Sequence, residues 1–195
     1  MSTPKNKHKF ETRAIHAGSF PDPTTGARST PIYQTTAYTF DSTEHAASLF
    51  NLQNFGFTYT RLGNPTVSVL EEKMANLENG RAAVACSTGH AAQLLSIHPL
   101  MMPGDKILAS QNLYGGSITQ FSHAFKRFGW GVDFVDATNI NKIQKAIKPS
   151  HKCIFVESLS NPDGVILDLE KIAKIANNQK IPLIVDNTMA SPYLC

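Results

Sequence analysis

The sequence predicts an α/β fold in which a mostly parallel sheet carries helices on both faces. After residue 80, short and almost wholly apolar segments alternate with segments of helical periodicity. Strands buried on both faces are apolar throughout, and parallel strands are joined by crossovers that are usually helices. The composition agrees, because 42% of the 195 residues are hydrophobic and only 17% are charged, below the usual ~25%. We therefore expect a layered α/β domain with little polar surface to spare.

The first forty residues predict an extended N-terminal arm. They contain four prolines and two glycines without a regular apolar period, which is typical of irregular chain. The first helix is predicted from Asp41-Ser42 to Phe50, because a capping hydroxyl and an early acidic residue, Glu44, precede an apolar stretch.

A second helix is predicted after a loop that contains Tyr59 and Arg61. Asn64 can cap its first turn, Pro65 suits its first helical position, and Gly80 is expected to cap its end. Its apolar residues recur at helical spacing and form one stripe, made of Val67, Leu70, Met74 and Leu77.

Five strands and four helices are predicted to alternate after Gly80. The strands are the apolar segments 82–86, 106–110, 132–135, 153–157 and 182–186. The helices lie at about 90–100, 116–128, 139–148 and 168–178. This alternation is typical of βαβ units. We expect residues 1–60 to form an arm and inter-subunit segment, and residues 61–195 to form the domain.

Charge and cysteine content argue against several classes of protein. The net charge is +3, and five basic or histidine side chains lie in the first thirteen residues, so the rest is too nearly neutral for a nucleic-acid binder. Cys86, Cys153 and Cys195 show no metal-ligand or disulfide spacing. The N-terminus is polar, so no signal peptide is predicted. No apolar run reaches the ~18–20 residues that are needed to cross a membrane, so no membrane span is predicted. We expect a reduced, cytoplasmic location.

The first candidate site follows the predicted strand 82–86. Ser87-Thr88-Gly89-His90 opens a helix, and hydroxyls, a glycine and free helical N–H groups can cradle a phosphate. The same residues are also compatible with a plain N-cap and a flexible turn. No P-loop or dinucleotide-binding glycine motif is present.

Two further candidates follow the next strands. Tyr114 precedes two glycines at a helix start, where its ring could stack on an aromatic ligand or pack on the sheet. Asn161 lies in a sequence typical of turns and projects from the same edge of the predicted sheet.

Asp186 is the most informative position, because it ends an apolar strand. A carboxylate there is costly unless it finds a cationic or hydrogen-bonding partner. One such partner is the protonated pyridine nitrogen of pyridoxal phosphate (PLP), and the other possibility is that Asp186 caps its own loop.

Taken together, these motifs resemble the γ-family of Cys/Met-metabolism enzymes, which are PLP-dependent enzymes of fold type I. Within that family the sequence looks most like O-acetylhomoserine sulfhydrylases. The resemblance covers almost the whole chain and is carried by Ile15-His16-Ala17-Gly18, Pro31–Thr36, Tyr59-Thr60-Arg61, Asn64-Pro65-Thr66, Ser87-Thr88-Gly89, Leu113–Gly116 and Val185–Thr188.

The resemblance implies that several of the matched residues bind the cofactor phosphate. Ser87 and the backbone amides of Gly89 and His90 would hold the phosphate. Tyr59 and Arg61 would reach the phosphate of a neighbouring subunit, in a homodimer or homotetramer.

It implies further roles at the cofactor ring. Tyr114 would stack on the ring, and Asn161 would lie near its phenolic oxygen. Asp186 would pair with the ring nitrogen, and Thr188 would pack on the other face of the ring. The domain at 61–195 would then be the N-terminal part of the PLP-binding domain.

One feature departs from the family pattern. The family's Schiff-base lysine follows the aspartate by roughly two dozen residues, whereas the last lysine here is Lys180, before Asp186. We expect an N-terminal part of such an enzyme, with that lysine beyond Cys195 and no catalytic residue of its own, which would be inactive alone.

The implied activity is replacement of acetate on O-acetylhomoserine by sulfide or a thiol, in methionine and homocysteine synthesis. The alternatives are a relative of cystathionine γ-synthase or methionine γ-lyase, a catalytically dead fragment that pairs with another subunit, and a module that only binds a phosphorylated ligand.

Overall fold

A computed structural model of the chain describes residues 8–195. The first seven residues of the predicted arm therefore lie outside the described residues. The chain divides between Ala85 and Cys86 into two compact units. Each unit is described in turn.

The N-terminal unit begins with a helix that the sequence did not predict. Helix α1 spans Phe10–His16, inside the segment predicted to be extended, so that prediction is wrong for these residues. A seven-residue helix is unstable by itself. Here α1 packs against a later helix, where Nε of Arg13 donates to Oδ1 of Asn76 at 2.8 Å. A contact across more than sixty residues of chain therefore stabilises a segment without periodicity of its own.

Helices α2 (Thr43–Phe50) and α3 (Pro65–Leu77) begin where the sequence predicts. The Oγ atom of Ser42 accepts from the N–H of His45 at 3.1 Å. At the start of α3, Oδ1 of Asn64 accepts from the N–H of Thr66 at 2.9 Å. Both contacts satisfy helical N–H groups that have no partner within the helix.

The end of α3 differs by one residue from the prediction. Asn79, rather than Gly80, takes the left-handed conformation, with φ of 52°. Gly80 follows it and donates its N–H to the carbonyl of Ala75 at 2.8 Å, while the N–H of Asn79 donates to Asn76 at 3.2 Å. This pair of bonds is a Schellman motif, and asparagine tolerates its left-handed position.

The C-terminal unit is built on four parallel strands in the order β2-β1-β3-β4. Their bounds are β1 Lys106–Ser110, β2 Gly131–Val135, β3 His151–Glu157 and β4 Leu183–Asp186. Four of the five predicted strands and the parallel sheet are thus confirmed.

The fifth predicted strand, 82–86, is wrong. This segment belongs to none of the ladders formed within residues 8–195. The Val84 side chain is 81% exposed, and the N–H of Ala85 donates to the Glu71 side chain at 2.8 Å. An apolar segment becomes a strand only when another backbone pairs with it.

Helices cover both faces of the sheet. They are α4 (Gly89–Ile97), α5 (Gly115–Thr119), α6 (Ile140–Ala146), α7 (Leu169–Gln179) and a short α8 (Ser191–Leu194). A 3-10 turn at His98–Leu100 extends α4, and a π turn at Gln120–Ala124 and a 3-10 turn at Phe125–Phe128 extend α5. All four predicted helices are present, and α8 is additional.

Successive residues of β1 point into two separate cores. Ile107 and Ala109 pack on one face with Phe121, below α4 and the segment that extends α5. Leu108 packs on the opposite face with Ile143 of α6 and Ile172 of α7. This two-sided burial explains why the strands are apolar throughout. No helix within residues 8–195 has the length and apolarity to cross a membrane.

Candidate functional site

A cavity of about 470 Å³ opens beyond the carboxyl ends of β3 and β4. That is the edge at which open parallel sheets bind ligands, and the volume suits a small cofactor. The cavity is lined by Thr88, Gly89, His90, Gln93, Tyr114, Glu157, Leu159, Asn161, Asp186, Thr188 and Met189. Six of the nine predicted site residues are among them.

The start of α4 forms one wall of this cavity. Oγ1 of Thr88 accepts from the N–H of Ala91 at 3.0 Å, so Thr88 is the N-cap. The preceding N–H groups, on Gly89 and His90, belong to the first turn and have no carbonyl partner inside the helix. A Cβ on Gly89 would meet nothing within 4 Å, so open space surrounds this position. The N-cap and the anion site are therefore compatible here, while exposed Ser87 lies just before the lining residues.

Tyr114 forms a second wall with His90. The two rings are stacked, with centroids 6.1 Å apart and planes inclined by 27°. Tyr114 is 50% exposed, whereas its neighbour Leu113 is 4% exposed and lies in the core. Leu113, rather than Tyr114, is thus the residue that packs on the sheet.

Asp186 lies at the end of β4 and is half-buried. Its Oδ1 atom accepts from both the N–H and the hydroxyl of Thr188, at 3.0 and 2.6 Å. Its Oδ2 atom lies 3.5 Å from Nε2 of the buried Gln93. The loop-capping interaction therefore exists but uses one oxygen. None of the ion pairs within residues 8–195 includes Asp186, so its carboxylate faces the cavity without a cation.

Glu157 was not among the predicted site residues. It ends β3, is 4% exposed and is the register partner of Asp186 on the adjacent strand. Burial raises the pKa of the Glu157 carboxyl and the Asp186 charge raises it further, while hydrogen bonds from two backbone N–H groups oppose the shift. The argument that singled out Asp186, an acid at the end of an apolar strand, applies equally to Glu157.

Asn161 and Thr188 lie at the exposed rim of the cavity. The N–H of Asn161 donates to Glu157 at 3.0 Å. Two residues further on, Oδ2 of Asp163 accepts from Nδ2 of Asn112 at 2.9 Å, which joins the loop after β3 to the loop after β1.

Tyr59 and Arg61 lie in the N-terminal unit, where they contact each other. The Arg61 guanidinium carbon is 5.6 Å from the centroid of the Tyr59 ring, within the range of a cation–π interaction. Buried Asn64 orders this loop, because its Nδ2 donates to the carbonyl of Tyr33 at 2.9 Å and to the hydroxyl of Thr60 at 3.1 Å. The sequence motifs 31–36 and 59–66 are therefore one structural element. The role of Tyr59 and Arg61 at a neighbouring subunit stays a prediction.

No group of three or more His, Cys, Asp or Glu side chains within residues 8–195 is arranged to hold a metal ion.

The chain is similar to known proteins of one family. The sequence profile of a family described as "Cys/Met metabolism PLP-dependent enzyme" matches residues 11–195. The chain is 45% identical over 193 residues to O-acetyl-L-homoserine sulfhydrylase of Leptospira meyeri, covering 99% of this chain and 43% of that protein. It is 42% identical over 187 residues to L-methionine gamma-lyase of Treponema denticola, covering 95% and 46%.

A solved structure has the same fold. A Campylobacter jejuni protein assigned as an O-acetylhomoserine (thiol)-lyase superposes with a TM-score of 0.91 at 41% identity, and it carries an N'-pyridoxyl-lysine-5'-monophosphate. The match covers 95% of this chain and 46% of that one. The chain thus spans less than half the length of these relatives.

Proposed function

Because this chain belongs to the family of Cys/Met metabolism PLP-dependent enzymes, we propose that it forms the cofactor-binding part of an O-acetyl-L-homoserine sulfhydrylase. Such an enzyme replaces the acetate on the γ-carbon of O-acetyl-L-homoserine by sulfide or a thiol. This proposal rests mainly on the cavity, which is lined by the start of α4, the Tyr114 ring and the Asp186 carboxylate. The sulfhydrylase relatives support the substrate.

The residues present fit PLP. Its phosphate needs N–H donors, which the first turn of α4 offers, and its ring needs a flat aromatic neighbour, which Tyr114 offers. Its ring nitrogen needs an acceptor, and Asp186 faces the cavity without a cationic partner. Because Gly116 has no side chain, there is room for the rings of Tyr114 and His90. A Cβ at this position would lie 2.4 Å from the Tyr114 ring.

When bound, the cofactor supplies an electron-withdrawing ring that accepts the electron pair released at the substrate α-carbon. Asp186 would keep the ring nitrogen protonated, and the two hydrogen bonds from Thr188 hold its carboxylate in place. Gln93 restrains the other oxygen of Asp186 and is itself anchored to Ser117 at 2.8 Å. Asn161 at the rim would contact polar groups on the ring edge.

The N-terminal unit is proposed to serve a neighbouring copy of the protein. Arg61 would add a charge-assisted hydrogen bond to the cofactor phosphate of that copy, with Tyr59 beside it. The proposal therefore includes a homo-oligomer. We also propose a cytoplasmic location, which is consistent with three cysteines that are all free.

A methionine γ-lyase is the second candidate function. Two such lyases are 42% and 41% identical to this chain, close to the values for the sulfhydrylases. The two functions differ in the group that leaves the γ-carbon and in whether a thiol replaces it, so substrate assays separate them.

The cofactor part of the proposal is tested with pyridoxine 5'-phosphate. This analogue lacks the aldehyde, so it does not react with surface lysines. We expect the 195-residue chain to bind it, Asp186→Ala to weaken binding, and pyridoxine without phosphate to bind less well. Equal weak binding of both compounds would contradict the phosphate site.

The substrate part is tested by a chimera. This chain replaces the matching 43% of the Leptospira meyeri sulfhydrylase, with the unmodified relative as control. We expect formation of homocysteine from O-acetyl-L-homoserine and sulfide. A chimera that binds the cofactor but only degrades methionine would favour the second candidate.

A further inference from the structure

Glu157 is a buried acidic residue to which the proposed function assigns no role. It lies at the carboxyl end of β3, in the middle of the sheet edge that opens into the cavity. Only 4% of its surface is exposed. Removing a carboxylate from water is costly unless both oxygens find hydrogen-bond donors. Its partners therefore indicate what the burial achieves.

Both partners are backbone N–H groups of residues that line the cavity. Oε1 of Glu157 accepts from the N–H of Tyr114 at 2.7 Å, and Oε2 accepts from the N–H of Asn161 at 3.0 Å. Tyr114 is the residue before α5, and Asn161 lies in the loop after β3. One side chain thus connects two loops that are 47 residues apart in sequence.

The first of these bonds restrains the backbone of the residue that carries the Tyr114 ring. The Tyr114 side chain is half exposed. It contacts His90 and occupies the space above Gly116, so few core contacts restrain it. No side chain caps α5 through a hydrogen bond at this position. The carbonyl of Tyr114 accepts the first helical bond of α5, from the N–H of Ile118 at 3.1 Å, and its N–H is held by Glu157.

Both hydrogen bonds need an acceptor atom on the side chain at position 157, and a carboxylate provides two. A glutamine has the same shape, but one of its two terminal atoms is an N–H donor and would face a backbone N–H. One of the two loops would then lose its acceptor. Only an acid at this position accepts from both loops at once.

We propose that Glu157 is a positioning residue, which holds the backbone at Tyr114 and Asn161 so that both side chains line the cavity in the orientation that a bound pyridine ring needs. This inference rests on the proposed function for its ligand. It adds a residue that acts through two others and does not touch the ligand's reacting atoms.

Amide hydrogen exchange tests the restraint without any ligand. In the 195-residue chain, Glu157→Gln should speed exchange at the N–H of Tyr114 or Asn161 by about tenfold or more, as expected for the loss of a hydrogen bond to a charged group. The matched control is Asp163→Asn, which removes one charge from the same loops at an exposed position and can still accept from Asn112. Unchanged exchange in Glu157→Gln would overturn the proposal. If that variant does not fold, Glu157→Asp keeps the charge but is too short for both contacts, and must show the same effect.

A ligand titration tests the consequence for the site. Glu157→Gln should weaken binding of pyridoxine 5'-phosphate and reduce its induced circular dichroism, while inorganic phosphate at α4 keeps its affinity. In a background that carries both Tyr114→Ala and Asn161→Ala, Glu157→Gln should cause little further loss. Equal losses for both ligands, or a Glu157→Gln loss that is as large in this background as in the parent chain, would mean that Glu157 only stabilises the fold. If the parent chain does not bind pyridoxine 5'-phosphate, the proposed function fails, while the exchange rates still decide whether Glu157 holds the two loops.

Discussion

Replacing Gly116 by alanine should weaken ligand binding at the candidate site and leave the stability of the fold almost unchanged. A Cβ at this position would lie 2.4 Å from Cε1 of Tyr114 and 2.8 Å from Nε2 of His90. Non-bonded carbon atoms pack at about 3.5–4.0 Å, so the Tyr114 ring must move by about 1 Å or more. The stacked pair of rings cannot remain as it is.

The stability of the fold should hardly change. Tyr114 is 50% exposed, so its ring can move towards solvent without opening the core. Alanine is also favoured over glycine inside a helix by about 0.5–1 kcal/mol, which offsets part of the lost contact. We expect the free energy of unfolding to stay within about 1 kcal/mol of the parent chain.

Ligand binding should weaken instead. An aromatic pair contributes about 0.5–1.5 kcal/mol beyond the area that it buries. Loss of that contact corresponds to an increase of about 2- to 12-fold in the dissociation constant. Titration with pyridoxine 5'-phosphate measures this change, and urea denaturation measures stability in parallel.

Gly115→Ala is the matched control. It changes the adjacent residue of the same helix, where a Cβ would meet nothing within 4 Å. We expect this variant to bind like the parent chain. If Gly116→Ala also binds like the parent, or if both variants weaken binding equally, the position assigned to the Tyr114 ring is wrong.

Three further predictions concern the stability of the fold, as measured by urea denaturation. Phe121→Ala should cost about 3–5 kcal/mol because Phe121 is 1% exposed, whereas Phe134→Ala, at a side chain that is 40% exposed, should cost clearly less; equal costs would contradict the assignment of the core. Asn64→Ala should cost about 2 kcal/mol, since it removes a helix cap and takes the side-chain donor away from the carbonyl of Tyr33; a cost below about 0.5 kcal/mol would mean that the loop is ordered otherwise. Burial lowers the pKa of His151 below its ordinary value, so unfolded chains take up a proton first and stability should fall as the pH drops below about 6.5. His151→Gln should remove that fall and should keep most of the loss at lower pH that follows from Asp133, whose pKa is lowered mainly by a hydrogen bond from Lys106 and less by His151; an unchanged pH profile would mean that His151 is not the group that titrates.

Local features of the sequence predicted the elements that depend on nearby residues. The caps of α2 and α3 lie within three residues of the N–H groups that they bind, so Ser42 and Asn64 could be identified from spacing alone. The paired strands of the sheet could also be predicted, because a strand that is buried on both faces is an apolar segment, which the sequence shows directly. The end of α3 was predicted one residue late, since both Asn79 and Gly80 tolerate a left-handed conformation and only the backbone distinguishes them.

Contacts between distant residues could not be predicted in the same way. Helix α1 depends on the contact of Arg13 with Asn76, and nothing near Arg13 in sequence indicates that partner. Segment 82–86 has the composition of a strand, but pairing depends on the backbone beside it rather than on its own residues.

The candidate site shows the same division. The sequence by itself determined which polar residues follow which strands, and hence that Tyr114, Asn161 and Asp186 reach one edge, because the carboxyl ends of parallel strands lie together. Only the tertiary structure decided that Glu157 joins the loops of Tyr114 and Asn161. Its two hydrogen bonds go to backbone N–H groups, which every residue except proline carries, so no side-chain pattern in the sequence could reveal them.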